Sequence, residues 1–186
     1  MEDKEKKAII GLWGPGEKGK TQTLNLLIKN LGGPKGTVDQ RVRLSYRKKR
    51  IAITTYGDNK EQLQENVDFF NEESCDIYVT ATRTSGGSVA ELEEFEKSIG
   101  WKAIWIYKSY LTYDPQNSEE QNNPPKESID EVQSRSPEES NDKKETKPLE
   151  ESITEEQIEI IRNTINRGLA KTIQSIIDQI ITDWEK

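Results

Sequence analysis

The chain has 186 residues, 31% of them apolar and 33% charged, with a net charge of −7 and no histidine. That length allows one domain with its own core plus an appendage, and the low apolar share predicts that part of the chain stays unfolded. The acidic balance argues against nucleic acid as a partner, and the missing histidine removes the commonest metal ligand. The lone Cys75 permits no internal disulfide, and no stretch nears the roughly 20 apolar residues of a spanning helix, so a cytoplasmic protein without membrane insertion is expected.

Ala8 to Leu31 reads as a strand, a glycine-rich turn and a helix in immediate succession. Ala8 to Leu12 is a short apolar run, and Leu24, Leu27, Ile28 and Leu31 recur at helical spacing. Between them GPGEKGKT puts Gly14, Gly19, Lys20 and Thr21 in the pattern G-x-x-x-x-G-K-[ST]. Each residue type suits a phosphate: glycines admit backbone N–H groups to its oxygens, lysine reaches the β- and γ-phosphates, and threonine offers a hydroxyl to Mg²⁺. The turn also opens a helix N-terminus, which favours an anion.

On these residues the chain resembles the P-loop NTPase superfamily. The resemblance implies an α/β fold with a mostly parallel five-stranded sheet and helices on both faces. It implies that Gly14, Pro15, Gly16, Glu17, Lys18, Gly19, Lys20, Thr21 and Gln22 bind a nucleoside triphosphate, ATP or GTP, that Thr21 holds Mg²⁺ and that Lys20 is catalytic.

Gly32, Gly33 and Pro34 end the first helix. Thr37 follows in a loop, at a distance from Lys20 similar to that of the small-GTPase threonine that closes over Mg²⁺. Two β-rich runs, Val42 to Tyr46 and Ile51 to Tyr56, are separated only by Arg47-Lys48-Lys49-Arg50, which predicts an antiparallel hairpin. The small GTPases carry such a hairpin between their second and third strands. The basic turn is read as a solvated turn guarding an edge, or as a grip for phosphate or nucleic acid.

After the third strand, Gly57 falls at the glycine of the small-GTPase D-x-x-G pattern, but Thr54 replaces its aspartate. Asp58, the next residue along, is the candidate to orient water or to serve the metal, and Asp58 or Asn59 is also a candidate N-cap for the next helix. That helix carries Leu63, Val67 and Phe70, and the buried strand DIYVTA follows. The loop after it holds Arg83, a candidate to stabilise charge on a transferring phosphoryl. Ser88 with Glu91 predicts a capping box for a helix reaching Ile99. A fifth strand runs from Ala103 to Tyr107, where the N-K-x-D with which the small GTPases read guanine is absent, and nothing selects ATP over GTP except that missing signature. Lys108 remains there as a candidate to stack on a base.

From Asp114 the composition changes: five of the seven prolines lie between 114 and 150, which predicts a disordered linker. A helix follows with Ile158, Ile161, Ile165, Leu169, Ile173, Ile176, Ile180 and Trp184 every three or four residues, and Gly168 marks a possible break. The expected organisation is a core over 1–113, a linker over 114–150 and a C-terminal amphipathic helix over 151–186, docked on the core or open to a protein partner. The expected function is Mg²⁺-dependent triphosphate binding with slow hydrolysis. Two alternatives stand beside it: a small kinase with Asp58 as base and Arg83 or the basic hairpin turn holding the acceptor, and a nucleotide-gated interaction module.

Overall fold

A computed structural model describes residues 6–15, 19–36, 38–72, 74–83, 87–99, 103–108 and 154–186. The expected linker, Thr37 and the turn residues Gly16, Glu17 and Lys18 lie outside them. The order of elements is β1 (Ala8–Trp13), α1 (Lys20–Asn30), β2 (Arg41–Tyr46), β3 (Lys49–Thr54), α2 (Lys60–Asn71), β4 (Ile77–Thr82), α3 (Gly87–Ile99), β5 (Ala103–Tyr107) and α4 (Glu155–Trp184). The fold is α/β, with one sheet of five strands in the order β2-β3-β4-β1-β5. β3, β4, β1 and β5 are parallel, and only β2 runs against its neighbour.

The alternation of side chains along each strand sorts the core into two layers. Ile10 and Leu12 of β1, Ile51 and Ile53 of β3, and Ile77 and Val79 of β4 pack with Leu24, Leu27 and Ile28 of α1 and with α4. Ile9, Ala52 and Tyr78 turn the other way, onto Leu63, Val67 and Phe70 of α2 and Leu92 and Phe95 of α3. Helices therefore cover both faces, as buried parallel strands require. Among the described residues no helix is long and apolar enough to cross a membrane.

The expected hairpin is present, but β4 separates it from β1. Its turn is also tighter than the four basic residues suggest. Lys49 and Arg50 belong to β3, leaving Arg47 and Lys48 as a two-residue turn with φ of 47° and 63°. Positive φ at both central residues matches the twist of a hairpin, at a cost that asparagine and glycine avoid. Part of the compensation comes from α4: Arg47 donates to Asp178 Oδ1 at 3.4 Å and to Glu185 Oε2 at 3.1 Å, and Lys49 lies over the Trp184 ring at 5.3 Å. This turn sits at the amino ends of the parallel strands, away from the glycine-rich turn at their carboxyl ends. It braces α4, and its place at the far end of the sheet removes it from the role of holding an acceptor beside the glycine-rich turn.

α4 is one continuous helix through Gly168, not two segments. No neighbour crowds Gly168, and thirty residues packed along α1 hold helical geometry without regard to one weak residue. The fully buried positions are Asn166, Ala170, Ile173, Ile177 and Ile181. Leu169, Ile176, Ile180 and Trp184 flank that seam, whereas Ile161 is exposed. α3 begins at Gly87, two residues earlier than a capping box with Ser88 as N-cap predicts. Ser88 lies within its first turn and accepts from the Arg83 amide, while Glu91 meets Lys60 at 3.2 Å.

Burial rather than ion pairing should hold α4. Ile177→Ala is expected to cost about 2–5 kcal/mol in urea unfolding and Arg47→Ala less than about 1 kcal/mol. Lys48→Gly, which removes a left-handed lysine, should stabilise by about 1 kcal/mol. A larger loss for Arg47→Ala than for Ile177→Ala would contradict this ranking.

Candidate functional site

The carboxyl ends of β1, β3, β4 and β5 converge on the amino end of α1, where open α/β sheets collect their ligands. β1 leads into the turn through Gly14, which is buried against β5. A Cβ there would lie 2.5 Å from the Lys108 carbonyl oxygen, so only glycine lets β5 close on β1 with the Lys108 amide donating to Trp13 O at 2.8 Å. The turn ends at Gly19, in left-handed conformation with φ 70°, and α1 starts at Lys20.

Lys20 is 6% exposed. Its ammonium folds back into the turn, donating to the carbonyls of Gly14 at 2.9 Å and Pro15 at 2.8 Å. Burial lowers its pKa below the ordinary lysine value, with Asp58 opposing and Arg83 adding to that shift. Among the described residues no carboxylate makes a salt bridge with it. A buried cation satisfied only by neutral carbonyls is a place where an incoming anion gains.

Thr21, the next residue, points its hydroxyl at two acceptors, Asp39 Oδ1 and Thr55 O, each at 3.0 Å. Asp39 was not legible as a site residue, and its placement has a local cause. Thr55 clamps Gln40, donating its backbone N–H to Gln40 O at 3.0 Å and accepting the Gln40 amide on Oγ1 at 2.8 Å. Asn25 of α1 holds the same segment, accepting from Gln40 Nε2 and donating to Val38 O at 3.3 Å. The loop before β2 is thereby fixed between α1 and the end of β3.

Thr54, at the position of the missing aspartate, does not face the site. Its hydroxyl is buried and donates to Thr80 Oγ1 at 2.8 Å, on the α2/α3 side of the sheet. Gly57 lies where β3 passes close to β4, and a Cβ would stand 2.2 Å from Ala81 O. Of the two cap candidates Asn59 is the N-cap, accepting from the Gln62 amide at 2.8 Å. Gln62 reciprocates to the Asp58 backbone amide at 2.9 Å, leaving the Asp58 carboxylate available to Arg83 at 3.3 Å. Asp58 and Arg83, from the ends of β3 and β4, thus form a half-exposed pair beside Lys20.

Lys108 does not project to stack on a base. It is 2% exposed and its ammonium donates to Gly19 O at 2.8 Å, to Thr23 Oγ1 at 2.7 Å and to Asn166 Oδ1 of α4. Asn166 in turn donates to Gln22 Oε1 at 2.8 Å. Burial, with Lys20 adding, lowers the Lys108 pKa to about 8.

The oxygen donors around Thr21 suit a hard cation such as Mg²⁺, which takes few protein ligands and keeps water and phosphate oxygens for the rest. Among the described residues there is no cluster of three or more histidine, cysteine or acidic residues that could hold a metal ion. No family model matches the chain, and comparisons with curated proteins and with solved structures return no match.

The shift at Lys108 fixes a sign. The folded chain releases this proton near pH 8 and the unfolded chain near 10.5, so between those values the unfolded state binds more protons and stability rises with pH. Lys108→Met should remove that rise. Urea midpoints of both proteins at pH 8 and about pH 9.5 test it; parallel pH dependence would contradict the assignment.

Proposed function

We propose that this protein belongs to the P-loop NTPase superfamily and binds a nucleoside triphosphate, ATP or GTP, with Mg²⁺ at the head of α1, hydrolysing it slowly. The observation that carries this reading is the Lys20 ammonium, buried on the two neutral carbonyls of Gly14 and Pro15. In this reading the β- and γ-phosphates replace those carbonyls as its partners, and the backbone amides of the turn and of Lys20 and Thr21 supply further donors. Thr21 would hold the metal, with Asp39 or Asp58 orienting its water.

Slow turnover follows from the side chains on hand. With no histidine in the chain, the candidate to orient attacking water is the Asp58 carboxylate, and Arg83 beside it would face the charge that develops on the γ-phosphoryl. The kinase alternative has lost one of its two acceptor-holding elements, since the basic hairpin turn braces α4 instead. Partner binding through α4 draws on less surface than its isoleucines suggest, because the seam from Ala170 to Ile181 is occupied by the core.

Lys20→Ala should weaken Mg–triphosphate binding by about a hundred-fold or more, as loss of two charge-assisted contacts implies. Thermal stability should hold or rise, because a buried cation has been removed. Calorimetric titration beside an unfolding curve checks both, and unchanged affinity would remove the reading.

Asp58→Asn should lower single-turnover hydrolysis by about ten-fold to a thousand-fold while affinity changes little. Stability should not move, since Asn59 carries the helix cap. Hydrolysis at the wild-type rate would exclude Asp58 from the chemistry.

A further inference from the structure

Asn166 lies on the last helix, yet its side-chain amide reaches the first turn of α1. We propose that it is a positioning residue of the triphosphate site, acting through Lys108 and Thr23 to fix the peptide plane that presents the Lys20 amide to phosphate. The inference rests on the triphosphate reading given above.

The plane in question joins Gly19 to Lys20. In a trans peptide the carbonyl and the N–H point in opposite directions, so whatever holds Gly19 O inward turns the Lys20 N–H outward from the head of the helix. Two donors are committed to it, the Thr23 amide at 3.0 Å and Lys108 Nζ at 2.8 Å, and the single Thr23 hydroxyl hydrogen, 3.1 Å from both Gly19 O and Asn166 Oδ1, is shared between those two acceptors. Without them Gly19 has little reason to stay, because glycine leaves a left-handed conformation as readily as it adopts one.

Both side-chain donors converge on Asn166. Its Oδ1 accepts from Thr23 Oγ1 at 3.1 Å and from the Lys108 ammonium, and its Nδ2 donates to Gln22 Oε1. The cation on one side and the glutamine carbonyl on the other set which way the amide faces. Asn166 is 2% exposed and is the first fully buried residue along α4, ahead of Ala170, Ile173, Ile177 and Ile181. Packing alone would put an aliphatic residue at the head of that seam. A buried amide is tolerated there because each end is matched to a group that touches Gly19 or Gln22.

The test compares Asn166→Leu, which keeps volume and removes both polar atoms, with Asn166→Asp, which keeps the acceptor for Lys108. Affinities for Mg–ATP and Mg–GTP are measured by calorimetry, with thermal unfolding alongside. Asn166→Leu should bind at least about ten-fold more weakly, and Asn166→Asp should stay within about three-fold of the wild type. Because Asn166→Leu takes an acceptor from the buried Lys108 ammonium, the double variant Asn166→Leu/Lys108→Met serves as a second probe that removes the cation as well, and the same loss is expected of it. Wild-type affinity in either folded leucine variant would overturn the inference and leave the triphosphate reading standing. A wild-type chain that binds neither nucleotide would overturn both, so the two failures are distinguishable.

Discussion

Two ammonium groups share the head of one helix, and the arrangement around them depends on keeping both buried. Lys20 comes from the helix and folds up into the turn; Lys108 comes from the end of β5 and reaches in from below. The cost of burying two like charges is offset by oxygens, the Gly14 and Pro15 carbonyls for Lys20 and the Gly19 carbonyl, Thr23 hydroxyl and Asn166 amide for Lys108. Burial lowers both pKa values, and the nearness of Lys20 adds to the shift at Lys108. Such a site is electropositive before any ligand arrives, which is what a polyanion requires of a preorganised binding site.

The remainder of the fold can be understood as holding these pieces at one end of the sheet. β5 closes on β1 because residue 14 has no side chain, bringing Lys108 under the turn. α4 packs along α1 by its aliphatic seam, and that packing carries Asn166 to the site at one end while Asp178 and Glu185 meet the hairpin at the other. The hairpin's own contribution is to bring Thr55 and the clamped segment at Asp39 up to Thr21.

Much of this was legible in the sequence where the signal is local. Alternating strands, helical spacing in α1 and α2, the short hairpin and the Asn59 cap are each written within a few residues of one another. Strand order is not, because whether β3 or β4 lies beside β1 is decided by how helices pack across the sheet. The expected stripe on α4 shares Ile173 with the buried seam and otherwise flanks it through Leu169, Ile176, Ile180 and Trp184, because isoleucines recur on more than one face of the helix and only contact with α1 chooses which are buried deepest. Asp39 and Asn166 had no pattern to betray them: an acid before a strand and an amide among isoleucines acquire meaning only through residues distant in the chain. The position of Lys108 after β5 suggests a base-stacking residue, but burial gives it Gly19 O as a partner instead.

The central claim is that the amino end of α1 binds the phosphates of a nucleotide. Titrating Mg–ATP and Mg–GTP into ¹⁵N-labelled protein, up to about 1 mM at the weak end of specific binding, tests it at the atoms concerned. The account predicts saturable shifts of the Lys20 and Thr21 amide resonances, with far smaller movements at the hairpin turn of Arg47 and Lys48. Resonances of Lys20 and Thr21 that stay in place with both nucleotides would contradict it.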